Sequence, residues 1–233
     1  MAYHYNLNTD MQSDMNTARI DIRTKLFQDI DFQDFFKKNN INLLPELFNY
    51  YDVTDQHYHL LGYMSTLVND SIIIDSGTHR GGSAIALSFN QSNTVYTYDR
   101  SPSRGGIQHN VTNIPNNVKF DSNADITKLI KTEKDHILNS SIFFLDINHE
   151  GPDEIKIFEF LLSNNYNGIL ILDDIHMNDP MKSVWNYIKS TDVIAFDATD
   201  IGHLCDNESG TGIVIFNKSH QCLSKITELV NKI

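Results

Sequence analysis

The sequence predicts an α/β fold: a doubly wound, mostly parallel seven-stranded sheet with its last strand antiparallel and a helical extension at the N-terminus. Three observations carry this. Short apolar runs alternate with helix-spaced patterns from Ser71 onward, which implies parallel strands covered on both faces. The first run opens into a glycine turn and a helix start, SIIIDSGTHRGGS over Ser71–Ser83. The last two runs have only a polar loop between them, so they pair antiparallel.

In chain order, Thr17 to Phe36 has helix-spaced apolar residues at Ile20, Leu26, Phe27, Ile30 and Phe35, with a weak spot around Asp29 to Asp31 and a break at Asn39-Asn40. Leu43 to Tyr50 is a second helical piece. Thr54 or Asp55 caps a helix whose His57, Leu60, Leu61, Met64, Leu67 and Val68 share one face. The strands are Ser71 to Ile74, Thr94 to Tyr98, Val118 to Phe120, Ile142 to Leu145, Ile169 to Leu172, Val193 to Ala198 and Gly212 to Phe216. The helices between them are the one that starts at Ser83, then Asp125 to Leu138, one opened by Gly151-Pro152-Asp153-Glu154, and Met181 to Ser190; Leu223 to Ile233 closes the chain. Residues 1–54 form the extension, read as a lid, and 55–233 the core, so 1–233 is one domain.

Composition excludes several classes. A net charge of −12, with no basic stripe, argues against a partner held through nucleic-acid phosphates. No apolar run is long enough to span a membrane, and the first residues have no signal-peptide pattern. Cys205 and Cys222 form no CxxC spacing, so neither a metal cluster nor a disulfide framework is expected, and the setting is expected to be cytoplasmic.

Four strand ends carry acids: Asp75, Asp99, Asp146 and Asp173-Asp174. Each alone is an ordinary turn residue. Together they crowd one edge of the sheet, where ligands of open α/β folds bind, and that crowding calls for a cation or for hydroxyl donors. The first turn is not the GxGxxG of a pyrophosphate cradle, which makes a nicotinamide dehydrogenase the weakest candidate. Gly77 and Gly81, with the Ser83 hydroxyl at a helix start, suit a carboxylate, and Asp75 suits an ammonium group. Asp99 suits ribose hydroxyls. The DSNAD loop, Asp121 to Asp125, suits an adenine edge, although Asp125 reads equally well as an N-cap. Asp146, Asp173 and Asp174 are oxygen donors from neighbouring strands and suit a hard divalent ion, Mg²⁺ by default. His149, three residues past Asp146, is placed to take a proton. His176 and His203 pair with no specific role, and Trp185 reads as core.

These stretches together, over roughly Gln56 to Phe216, resemble the class I S-adenosylmethionine-dependent methyltransferases, a Rossmann-like group. Within it they resemble the divalent-metal-dependent O-methyltransferases of the catechol and antibiotic-sugar types. The resemblance implies that Gly77, Thr78, Gly81 and Ser83 hold the methionine end. It implies that Asp75, Asp99, Asn123, Ala124 and Asp146 complete the cofactor seat, that Asp146, Asp173 and Asp174 hold the metal, and that His149 is the base. The Asp-Asp pair, where the catechol type has Asp-Asn, favours the sugar branch. Asn148, two past Asp146, is not a base.

The expected activity is Mg²⁺-assisted O-methylation of a vicinal diol such as a sugar, on a small-molecule or glycan acceptor. The alternatives are a metal-independent methyltransferase using His149 alone, and a non-catalytic binding module whose N-terminal helices serve homo-oligomer contacts. The loop from Ile201 to Gly212 is expected to rim the pocket.

Overall fold

The computed structural model describes residues 30–43, 56–100, 111–121, 124–199 and 209–231. Its centre is a seven-stranded sheet of β2 (Ile72–Ser76), β3 (Thr94–Tyr98), β5 (Val118–Asp121), β6 (Ile142–Leu145), β7 (Ile169–Asp173), β8 (Ile194–Asp197) and β9 (Thr211–Ile215). The spatial order is β5-β3-β2-β6-β7-β9-β8. The pairs among β5, β3, β2, β6 and β7 are parallel. β9 enters between β7 and β8 and runs antiparallel to both. The expected reversal of the last strand is therefore present, and β8, paired only through β9, points the same way as the parallel five.

Period-two alternation divides the core in two. Ile73, Val95, Phe144, Ile171, Ile213 and Ile215 face one layer, where they meet Phe32 and Phe35 of α1 (Phe32–Asn39), Leu60, Leu61 and Met64 of α2 (Gln56–Thr66), α3 (Gly82–Leu87) and Ile226 of α8 (Leu223–Asn231). Ile74, Phe143, Leu145, Leu170, Leu172 and Val214 face the other. That layer comprises α4 (Ile126–Thr132), α5 (Lys134–Leu138), α6 (Pro152–Ser163) and α7 (Asp179–Lys189). Trp185 is 1% exposed in this second layer, as a core residue.

The structure changes several boundaries. The helix expected to run into Phe36 starts at Phe32, because the Asp31 side chain accepts the Asp34 N–H at 2.9 Å and caps it there; Asn40, left-handed at φ 52°, ends it. The apparent weak spot is a helix start. Thr17 and most of that expected helix lie outside the described residues. The described part of the extension belongs to the first helical layer. Phe32 packs edge-on to Phe89 just past α3, and Asn39 Oδ1 accepts from Gln91 Nε2 at 2.5 Å, near the end of the sheet where β3 begins. Leu43 lies in a two-residue strand, β1 (Asn42–Leu43), paired with β4 (Val111–Thr112); the rest of the helical piece expected up to Tyr50 lies outside the described residues. Asp125 to Leu138 divides into α4 and α5 at Glu133. Among the described residues no helix is long and apolar enough to cross a membrane.

Candidate active site

The carboxyl ends of β2, β3 and β6 open onto a cleft of about 620 Å³, within the ordinary range for a small-molecule site. Gly77, Tyr98, Asp99, Ala124, Asp146, Asn148 and His149 are among its walls.

The turn after β2 is fixed by the backbone. Gly77 N–H donates to the Tyr98 carbonyl at 2.9 Å, and Gly77 sits at φ 104°. A Cβ there would run into the Asp146 carbonyl oxygen, so glycine is what lets β2 and β6 close against each other at the cleft. Gly81, at φ 93°, is the N-cap of α3 and supplies no side-chain bond. Asp99 lies on the floor of the cleft. Its Oδ2 accepts the His79 N–H at 2.9 Å, and its carbonyl takes the Ala124 N–H at 3.2 Å, which draws the loop before α4 onto the site. Asp125 acts as the N-cap, accepting from Thr127 N–H at 3.0 Å and Thr127 Oγ1 at 2.7 Å. Asn123 lies outside the described residues.

Three of the expected cofactor residues are turned inward. β2 continues one residue beyond Asp75, to Ser76, and Asp75 is 0% exposed. Its Oδ2 takes a hydrogen bond from Thr97 Oγ1 at 2.5 Å while its Oδ1 is buried without one, and Thr78 Oγ1 lies 2.5 Å from Thr97 Oγ1. Thr97 thus links Asp75 and Thr78 beneath the turn, and none of Asp75, Thr78 and Ser83 is among the cleft walls, which include Gly77, Asp99 and Ala124. Burial pushes the Asp75 carboxyl up to about 7; the Thr97 and Ser83 hydroxyls act against this, and the charges of Asp146 and Asp99 add to it.

The acids of β6 and β7 do come together. His149 Nε2 lies 3.1 Å from Asp146 Oδ1 and 3.2 Å from Asp174 Oδ2, so one imidazole spans two carboxylates. Burial alone would lower the His149 pKa; Asp146, Asp174 and Asp173 outweigh it and hold it up to about 9. Asp173 is driven well above the usual carboxylate range, first by burial, then by Asp146 and Asp174. Its Oδ1 is buried without a hydrogen bond. Among the described residues no group of three or more His, Cys, Asp or Glu stands ready as a metal cluster.

Sequence reasoning missed two contributors. His57, counted above only as a face residue of α2, is 7% exposed, and its Nδ1 lies 3.2 Å from Thr211 Oγ1 and 3.7 Å from Asp173 Oδ1. A histidine among leucines at core spacing was the available signal. Arg100, directly after Asp99, lines the cleft and stands 3.8 Å from Asp153 at the start of α6. His176 pairs with Asp197 at 2.7 Å, tying the end of β7 to β8; His203 and most of the loop from Ile201 to Gly212 lie outside the described residues.

No protein-family profile matches the chain, and no curated protein matches it. Solved structures do. An O-methyltransferase from Bacillus cereus, in complex with S-adenosylhomocysteine, superposes with a TM-score of 0.53 at 16% identity, over 72% of this chain and 83% of that one. The S-adenosylhomocysteine-bound methyltransferase PaMTH1 of Podospora anserina gives 0.52 at 11% identity, over 94% of this chain and 100% of that one. The fold is a Rossmann-like methyltransferase fold. In this methyltransferase fold the cleft lies on the carboxyl edge of β3, β2 and β6, where the Gly77 turn packs directly against Asp146.

Proposed function

We propose that the chain is an S-adenosylmethionine-dependent O-methyltransferase, assisted by a divalent cation, Mg²⁺ first, and acting on a vicinal diol, a sugar before a catechol. The observation that carries this is a cleft that reaches Asp146 and His149, with the acids at the end of β7 directly against that histidine. Gly77, Asp99 and Ala124 offer a close backbone, a ribose-type acid and an adenine edge. Asp146, Asp173 and Asp174, with His149 among them, offer oxygen donors and a proton carrier.

The residues suit both groups. Asp173 Oδ1, buried without a hydrogen bond, and the mutual repulsion of three acids are what a hard cation would relieve. When bound, the cofactor supplies a methyl group on a good leaving group, and the cation lowers the pKa of chelated hydroxyls. The protein does the rest. Asp99 receives ribose hydroxyls and sets the depth of the donor. The Gly77 turn lets the backbone approach it. The acids beside His149 raise its affinity for a proton, and its Nε2, 3.1 Å from Asp146 and 3.2 Å from Asp174, is the group placed to take the acceptor's proton. The preference for a sugar rests on the Asp173-Asp174 pair alone.

A metal-free methyltransferase has its own supporting observation: the His149 imidazole already spans Asp146 and Asp174, in the place a cation would take. Calorimetric titration with S-adenosylmethionine, S-adenosylhomocysteine and NAD tests the cofactor, and binding of NAD alone would refute the reading. Turnover of a vicinal-diol probe is expected to stop in EDTA and return with Mg²⁺. Full turnover in EDTA would select the metal-free form.

A further inference from the structure

His149 has a left-handed backbone, φ 57°, which a non-glycine residue adopts only when its surroundings hold it. Two elements do so. Glu154, in the first turn of α6, is 1% exposed and uses both carboxylate oxygens. Oε2 accepts the Gly151 N–H at 2.8 Å, the ordinary return bond of a helix cap. Oε1 reaches past the cap to the His149 N–H, also at 2.8 Å. From the other side comes Asn178, the N-cap of α7. Its Oδ1 accepts the Met181 N–H at 2.9 Å, and its Nδ2 donates to the His149 carbonyl at 3.0 Å.

In both cases capping accounts for only half of the bonding. A helix cap at 178 needs one acceptor oxygen, and Asp or Ser would serve as well. The amide nitrogen is needed only for the His149 carbonyl. The cap of α6 likewise leaves the bond to the His149 N–H unexplained. The two flanking peptide groups are therefore fastened to two different helices, and the imidazole is delivered to one place, between Asp146 and Asp174.

We infer that Glu154 and Asn178 are positioning residues for His149: they clamp its N–H and carbonyl so that Nε2 meets the carboxylates of β6 and β7. The catalytic meaning of the clamp rests on the O-methyltransferase reading; the clamp itself is tested without it.

The experiment compares Asn178→Asp, Asn178→Ala and Glu154→Gln with the parent protein. Three readouts are used: melting temperature, S-adenosylhomocysteine affinity by calorimetry, and the NMR position of the His149 Hε1 proton at fixed pH, assigned by its loss in His149→Gln. Asn178→Asp keeps the cap and loses the donor to His149. It is expected to melt with the parent, to bind S-adenosylhomocysteine within twofold of it, and to move the Hε1 resonance by more than its linewidth. Asn178→Ala loses both functions, so its melting temperature falls and the resonance moves as well. Glu154→Gln keeps one acceptor and moves the resonance in the same sense. An unmoved resonance in Asn178→Asp, or movement only in variants that also lose melting temperature, would overturn the clamp. A parent protein that binds no S-adenosylhomocysteine would sink the methyltransferase reading and leave the resonance test standing.

Discussion

Asp75→Asn is the perturbation that separates burial from chemistry at the turn. The Asp75 carboxyl is fully buried, and burial, opposed by Thr97 and Ser83, pushes it from 3.8 up to about 7. In the unfolded chain it titrates near 3.8. Between those two values the folded protein holds a proton that the unfolded chain has released, so stability falls as pH rises from about 4 to about 7 and then levels off. The whole gap corresponds to about 4 kcal/mol, of which about 3 kcal/mol falls between pH 5 and pH 8. Asn at this position keeps an oxygen for the Thr97 hydroxyl and removes the titration. His149 acts in the same sense in a later window: its raised value gives stability that is present below pH 6.5 and lost as pH passes about 9. Asp173, also raised, adds to the fall on the acidic side. Both still titrate in the variant, so the difference between parent and variant isolates Asp75. Urea unfolding at pH 5 and pH 8 is the assay. The variant is expected to gain on the parent by about 3 kcal/mol between the two. Equal pH dependence in both proteins would refute the burial argument.

Two further outcomes bear on the cofactor end. Gly77→Ala places a methyl group against the Asp146 carbonyl at φ 104°, and is expected to cost about 1–3 kcal/mol of stability and to weaken S-adenosylhomocysteine binding at least tenfold, read by thermal unfolding and calorimetry. Asp99→Ala removes the acid proposed for the ribose hydroxyls and is expected to weaken the same ligand by about 10- to 100-fold, since bonds to a charged group contribute about 1.5–3 kcal/mol; the melting temperature falls too, because the His79 N–H loses its acceptor.

The sheet was legible because its strands are apolar on both faces. Ile142 to Leu145 and Ile169 to Leu172 are buried throughout, and no helix period fits runs that short between turn residues. The reversed β9 was legible from what was missing, a helix between two strands. The start of α1 was not. Asp31 reads as a break in a longer helix unless one knows that its carboxylate faces the Asp34 N–H. The pairing of β1 with β4 involves two residues on each side, too few for any pattern. His57 meets Asp173 and Thr211 across more than a hundred residues, a contact that local spacing does not encode.

Asp75 shows how strand-end position and side-chain direction can part. All four acid positions were assigned to the ligand edge because each follows an apolar run. For Asp99, Asp146 and Asp174 the strand has ended; the first two line the cleft, and Asp174 lies 3.2 Å from His149. β2 runs one residue further, so Asp75 still obeys the two-residue alternation. It shares a face with Ile73, which is buried in the first layer, beneath α3. Its register partner on β3 is Thr97, which shares a face with Val95 in that same layer. Alternation therefore predicts an acid buried under the glycine turn, opposite a hydroxyl, and the Thr97 bond is that pairing. A carboxyl of this kind lies below the turn, while Gly77 above it and Asp99 beside it line the cleft. The acids thus divide by strand: β2 buries its own beneath the turn, β3 is followed by one that lines the cleft, and those of β6 and β7 gather around His149.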